Sequence, residues 1–155
     1  MHVARVFGIA TIKGAELPEG HPDRKHKGRL VLQGDQVKDQ FNDAAIFQEL
    51  SSFPAGFEAS KVVDYFGLLP GHILEQSDAE QAYLQAELGG NTETWVRLPK
   101  ELWPSHWEGK FRDPVVPLRL ALYGHPDASG LWEARCHEVI MAAGFTTHED
   151  WPSIY

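Results

Sequence analysis

Two stretches near the start of the chain have the residue pattern of strands. Residues 2–12 (HVARVFGIATI) and 28–34 (GRLVLQG) are rich in β-branched and apolar residues, which favour extended structure. The segment between them is broken by several Gly and Pro residues, so it predicts a loop. We therefore expect a hairpin with a long tip.

Helical spacing predicts two helices further along the chain. Between positions 55 and 69 apolar residues recur every three or four positions, and Pro70-Gly71 ends the pattern. A second helix is predicted over 129–143, because Gly144 stands where a left-handed C-terminal cap belongs. Six of its side chains are expected to face inward: Leu131, Trp132, Cys136, Val139, Ile140 and Ala143.

Shorter apolar runs predict the remaining strands. The HILEQ segment (residues 72–76) is predicted to be a strand that leads into Asp78, and a short helix is expected after it. Residues 94–99 and 113–120 are also predicted as strands. Together these elements predict an α+β domain, and 155 residues suffice for one domain with a core of its own.

Charge is unevenly distributed along the chain. The formal net charge is −8, from 14 Lys and Arg against 22 Asp and Glu. Residues 41–90 carry one Lys against eight acidic residues, whereas the one basic concentration is DRKHKGR at 23–29. Charge alone therefore argues against nucleic-acid binding by the whole surface and leaves only the hairpin tip as a basic contact.

Several kinds of chemistry lack their motifs. The sequence has no G-x-S-x-G nucleophile elbow and no G-x-x-x-x-G-K-[ST] phosphate loop. Its eight His residues include no H-x-x-x-H pair, and the single Cys136 rules out an internal disulfide. With no apolar run of about 20 residues and no signal-peptide pattern, we expect no membrane segment and a cytoplasmic location.

Asp78 has two interpretations. It precedes a helical pattern in EQSDAEQAYLQAEL (residues 75–88), where an aspartate commonly caps a helix. An aspartate at the end of a strand is equally a candidate metal ligand, because hard divalent cations prefer carboxylate oxygens.

A set of sequence blocks resembles the reverse transcriptases of copia-type retrotransposons. QSDAEQAYLQAEL (76–88) is similar to the family's first carboxylate motif, Q-(M/L)-D-V-K-T-A-F-L-N-G-x-L. KGRLVLQG (27–34) resembles the block K-A-R-L-V-A-x-G, and TWVRLP (94–99) resembles E-x-Y-M-x-Q-P. LALYGHPDASGLW (120–132) resembles K-S-L-Y-G-L-K-Q-A-P-R-A-W, and the final GFT and DWPSIY segments resemble G-F-x and D-P-C-L-Y.

This resemblance implies an incomplete fingers–palm unit, with fingers at about 1–71 and palm at about 72–155. The palm sheet would be mixed or antiparallel, with the HILEQ strand at its centre and the two helices packed on it. The implied function is RNA-directed DNA polymerisation by two-metal nucleotidyl transfer. Asp78 would be the catalytic ligand of Mg²⁺ or Mn²⁺, and six residues would contact the nucleotide: Lys27, Arg29, Ala82, Tyr83, Tyr123 and Gly124.

The same resemblance implies partners, and the sequence also departs from the family pattern. The expected partners are an RNA or DNA primer-template, deoxynucleoside triphosphates and the C-terminal palm, thumb and ribonuclease H regions. The family's second carboxylate motif, Y-x-D-D, is absent from the 155 residues, so we expect this isolated chain to be inactive. Glu80 also stands where the family commonly has Lys, and Asp127-Ala128-Ser129 replaces Q-A-P.

Each assignment has a simpler alternative. Tyr83 has the spacing of a core aromatic, Lys27 and Arg29 suit a solvated hairpin tip, and Gly124 suits an ordinary turn. The chain as a whole is alternatively a decayed or domesticated remnant that acts only as a nucleic-acid-binding or interaction module. A third hypothesis is an unrelated small enzyme that uses Asp78 and a histidine as acid and base.

Overall fold

A mixed four-stranded sheet organises the protein. The computed structural model describes residues 1–47 and 53–155. The strands are β1 (His2–Lys13), β2 (Lys25–Leu32), β3 (Thr94–Arg97) and β4 (Val115–Pro117), in the order β2-β1-β3-β4. β1 pairs antiparallel with β2 and parallel with β3, and β3 pairs antiparallel with β4. With two α-helices, this confirms an α+β architecture with a mixed sheet.

The predicted hairpin is present. β1 and β2 stay in register from the pair Val6 and Leu32 to the pair Lys13 and Lys25. Its base is buried, whereas the outer part projects into solvent, where Ile9 and Ile12 are about 40% exposed (41% and 39%). The outer part of the hairpin, which bears Lys13, Lys25 and Lys27, therefore lies away from the core.

Both predicted helices form, but they bury little. They are α1 (Phe57–Gly67) and α2 (Ala128–Ala142), and each has a single buried residue, Ala59 and Ala128. The prediction that the α2 side chains face inward is wrong at Val139 and Ala143, which are exposed. Cys136 and Ile140 in the second half of α2 are partly buried, so only part of the predicted apolar face is covered.

Two clusters of buried residues make up the core of the described chain. The larger lies on one face of the sheet and includes Ala4, Val6, Leu32, Val96 and Leu122, with Val37 beside them. The smaller is formed by Ala86, Ala121 and Ala128 with the partly buried Tyr83 and Leu131. Neither cluster includes a residue of α1, so α1 does not flank the sheet as predicted.

The predicted HILEQ strand is wrong. Residues 72–79 have no regular secondary structure and are exposed, and Ile73 retains 81% of its accessible surface. The centre of the sheet is taken by β1 and β3, which pair with each other and with the two outer strands. The sheet thus joins strands from the first 71 residues to strands from the remainder of the chain.

Candidate nucleotide-binding site

Three residues named from the family resemblance meet in space. The rings of Tyr83 and Tyr123 are in contact, with centroids 4.6 Å apart and planes inclined at 58°. The guanidinium carbon of Arg29 lies over the Tyr123 ring, 5.6 Å from its centroid. This Arg29–Tyr83–Tyr123 cluster joins three segments that are 40 residues or more apart in sequence.

Backbone hydrogen bonds bring Tyr123 to the hairpin. The Leu32 N–H at the end of β2 donates to the Tyr123 carbonyl oxygen at 2.7 Å. Gly124 has a φ of +86°, and a Cβ there would overlap the Leu32 carbonyl oxygen. The turn after Tyr123 therefore depends on glycine both for its conformation and for the close approach to β2.

A second set of backbone contacts places Tyr83. Tyr83 belongs to a short 3₁₀ helix, Ala82–Gln85, and Ala86 follows in extended conformation. The Ala121 N–H donates to the Ala86 carbonyl at 2.9 Å, so the segment after Tyr83 runs beside the segment before Tyr123. This pairing holds the two tyrosine rings together and leaves both partly exposed.

Lys27 and Ala82 lie next to the cluster in sequence. Lys27 is exposed on β2, two positions from Arg29, so the two side chains leave the strand on the same side. Ala82 is partly buried at the start of the 3₁₀ helix that carries Tyr83. Aromatic rings beside guanidinium and ammonium groups can stack on a base while the cations contact phosphate oxygens.

Asp78 does not cap the helix that follows it. The N-cap of the following 3₁₀ helix is Gln81, in left-handed conformation (φ 51°), and no side-chain bond caps that helix. The alternative interpretation of Asp78 as an N-cap is therefore wrong. Asp78 itself lies in the exposed irregular segment before Gln81.

A resident metal does not fit the residues that the structure describes. Within 1–47 and 53–155, no three His, Cys, Asp or Glu side chains are grouped so that they could hold a metal ion. Asp78 alone supplies one carboxylate, whereas two-metal chemistry needs several. We therefore derive no step through Mg²⁺ or Mn²⁺ from this arrangement.

Sequence reasoning missed a second polar group. His125 and Thr94 are buried, and their side chains contact each other through Nε2 and Oγ1 at 3.4 Å. The two residues are 31 positions apart, so no local motif pairs them. The one available signal is the His-Pro-Asp sequence at 125–127, which joins two titratable residues through a proline turn.

Comparison with known proteins returns no family model, no curated protein and no solved structure that matches the chain. Among the helices of the described residues, none has both the length and the apolarity that crossing a bilayer requires.

Proposed function

We propose that the chain is a fingers–palm fragment of a copia-type reverse transcriptase, and that the Arg29–Tyr83–Tyr123 cluster contacts the incoming nucleotide. The observation that supports this is the convergence of these three side chains. Each was named from a different sequence block, and contact between them does not follow from their positions in the sequence.

The chemistry of each member suits one part of a nucleotide. The Arg29 guanidinium is a planar fork of donors that matches phosphate oxygens. Tyr83 would pack beneath the sugar, and Tyr123 with Gly124 would shape the pocket for the base and the template. Lys27 would add a point charge toward the triphosphate. The primer-template backbone would follow the basic hairpin tip at residues 23–29.

The catalytic part of the proposal depends on Asp78 and on carboxylates from outside these residues. In the complete polymerase Asp78 would be one ligand of Mg²⁺ or Mn²⁺, and a Y-x-D-D hairpin would supply the others. The 155 residues lack that hairpin, so we propose nucleotide binding, and not polymerisation, for the chain alone.

Nucleotide binding can be measured directly by calorimetric titration with a deoxynucleoside triphosphate. Arg29→Ala should weaken binding about tenfold or more, because a charge-assisted phosphate contact is worth roughly 1.5–3 kcal/mol. Lys13→Ala is the matched control, since it removes a cation from the far end of the same hairpin. Equal affinity of Arg29→Ala and the parent protein would overturn the assignment.

The catalytic role needs a second experiment. A protein in which a Y-x-D-D palm segment follows Tyr155 should extend a primer, and Asp78→Asn should abolish that extension. Extension that survives Asp78→Asn would show that Asp78 holds no catalytic metal.

The alternative is a nucleic-acid-binding or interaction module without polymerase chemistry. The lack of a metal-binding group among the described residues favours it. Salt-sensitive binding of oligonucleotides together with no measurable binding of triphosphates would select this alternative.

A further inference from the structure

A cavity of about 330 Å³ lies beside the start of α2, outside the Arg29–Tyr83–Tyr123 cluster. Its polar lining comes from six side chains, and the Gly89-Gly90 loop forms part of its rim: His2, Asn91, Thr92, Thr94, His125 and Asp127. Thr94 and His125 are 3% and 5% exposed, so these polar groups are built into the core.

Hydrogen bonding fixes the tautomer of His125. The Asp127 backbone N–H donates to Nδ1 of His125 at 3.1 Å, so Nδ1 carries no proton. Burial lowers the pKa of His125 to about 4, so the ring is neutral at pH 7 and its proton is on Nε2. Nε2 lies 3.4 Å from the Thr94 hydroxyl, which accepts this bond and keeps its own proton to donate.

The Asp127 carboxyl supplies a complementary acceptor. Among residues 1–47 and 53–155, nothing donates a hydrogen bond to its buried Oδ1 atom. Although Asp127 is the N-cap residue of α2, its side chain makes no capping bond. A buried acceptor without a donor is destabilising, and Asp127 lines the cavity, so a ligand N–H group that reached this oxygen would relieve that cost.

The aromatic wall of the cavity suits a flat ligand. Phe47 packs between two imidazoles, with its ring centroid 4.8 Å from that of His2 and 5.2 Å from that of His125. Both contacts are edge-to-face, and all three rings line the cavity that the polar groups share. A planar ligand in the cavity would contact these rings, and Thr94 and Asp127 line the same cavity.

We propose that this cavity binds an unpaired nucleobase through its Watson–Crick edge. On that edge an N–H donor stands beside an acceptor, which matches the Asp127 carboxylate and the Thr94 hydroxyl proton. The N–H group of the base donates a hydrogen bond to Asp127 Oδ1, and the neighbouring acceptor of the base accepts one from the Thr94 hydroxyl. The proposal does not depend on polymerase activity, and it concerns a base and not a triphosphate.

Matched ligands test the donor without changing the protein. Titration of the intact chain with uridine should show binding, whereas 3-methyluridine, which lacks the N3–H donor, should bind about tenfold or more weakly. Adenosine and N6,N6-dimethyladenosine form a second such pair. These nucleosides carry no phosphate for Arg29, so the outcome is separate from that of the triphosphate experiment.

Matched variants test the protein side. Asp127→Ala and Thr94→Val should each weaken uridine binding by a similar factor, whereas Thr94→Ser, which keeps the hydroxyl, should retain it. Asp64→Ala on α1 removes an exposed carboxylate elsewhere and should have no effect. If a variant fails to fold, the ligand pairs still decide.

Titration with a single-stranded oligonucleotide shows whether the site binds a base within a strand or a free nucleoside. Weaker binding of either ligand by Asp127→Ala than by the parent protein supports the site. The proposal is overturned if neither form binds, or if the methylated and unmethylated ligands bind equally.

Discussion

His125 should make the stability of the protein depend on pH. Its imidazole is 5% exposed, and burial lowers its pKa from 6.5 to about 4. Protonation would put a proton on Nδ1 and so remove the acceptor of the Asp127 backbone N–H. Because the pKa is lower in the folded state, the unfolded chain binds more protons between pH 4 and 6.5. The contribution of neutral His125 to the free energy of unfolding is therefore complete above about pH 6.5 and is lost as the pH falls toward 4.

The size of the effect follows from the two pKa values. A folded pKa of about 4 against 6.5 gives a loss of roughly 2 kcal/mol between pH 7.5 and pH 5 as an upper limit. The ring borders a cavity that solvent can enter, so screening reduces the expected loss to about 1 kcal/mol. The pKa of His2 is also lowered, chiefly by burial, and this adds a loss of the same sign.

Urea unfolding at pH 5 and pH 7.5 measures this loss, and His125→Asn is the matched variant. Its side-chain oxygen can accept from the Asp127 N–H in place of Nδ1, but it does not titrate in this range. Each protein is compared with itself at the two pH values, so any constant cost of the substitution cancels. The parent protein should lose about 1 kcal/mol more than His125→Asn. An equal loss in both proteins, or an NMR titration that places the His125 pKa near 6.5, would refute this reasoning.

Three further predictions concern the tyrosine cluster and the hairpin. Gly124→Ala should cost at least about 1 kcal/mol more than Gly71→Ala in urea unfolding. Both glycines have φ near +85°, but only a Cβ at 124 meets the Leu32 carbonyl; equal costs would contradict the close approach. A double-mutant cycle of Tyr83→Ala and Tyr123→Ala should give a coupling of about 0.5–1.5 kcal/mol, and additive costs would show that the rings do not interact. The third prediction concerns the hairpin cations Lys25, Lys27 and Arg29. Neutralising all three should lower the salt slope of oligonucleotide binding by about 0.7–0.9 for each cation that pairs with a phosphate. An unchanged slope would exclude these residues from binding the strand.

Local patterns were enough for the elements whose partners are near in sequence. β1 and β2 are joined by the loop 14–24, so strand-like composition and the Gly/Pro breaks predicted the hairpin correctly. The two helices were predicted within two residues at either end, because a helix makes its hydrogen bonds within one segment. These elements depend least on the remainder of the fold.

Strands with distant partners were predicted less well. The HILEQ segment has strand-like composition, but composition alone does not supply a partner, and its Ile73 remains exposed. β1 instead pairs with β3, which lies about 80 residues further along the chain, and no local signal indicates that parallel pairing. The wrong prediction that Val139 and Ala143 face inward has a similar cause, because helical spacing identifies an apolar face but does not show which residues pack against it.

Of the two candidate sites, the sequence led to one and did not indicate the other. The Arg29–Tyr83–Tyr123 cluster was reached only through the family resemblance, because its members come from three separate segments. His125 and its β3 partner Thr94 both lie within blocks of that resemblance, but the resemblance assigned neither of them a role. Residue chemistry alone named His125 as one of eight histidines and offered no reason to prefer it.

One turn positions both sites. Tyr123 and His125 flank Gly124, and the His125 N–H closes the turn onto the Leu122 carbonyl at 3.0 Å. On one side the Tyr123 carbonyl is bound to the end of β2, which carries Arg29. On the other side the His125 ring reaches Thr94 on β3. Because the positive φ of Gly124 sets the directions of both neighbours, a shift of this turn would displace the tyrosine cluster and the cavity together. The Leu-Tyr-Gly-His-Pro-Asp sequence is therefore best understood as the junction that ties the hairpin and the centre of the sheet to the start of α2.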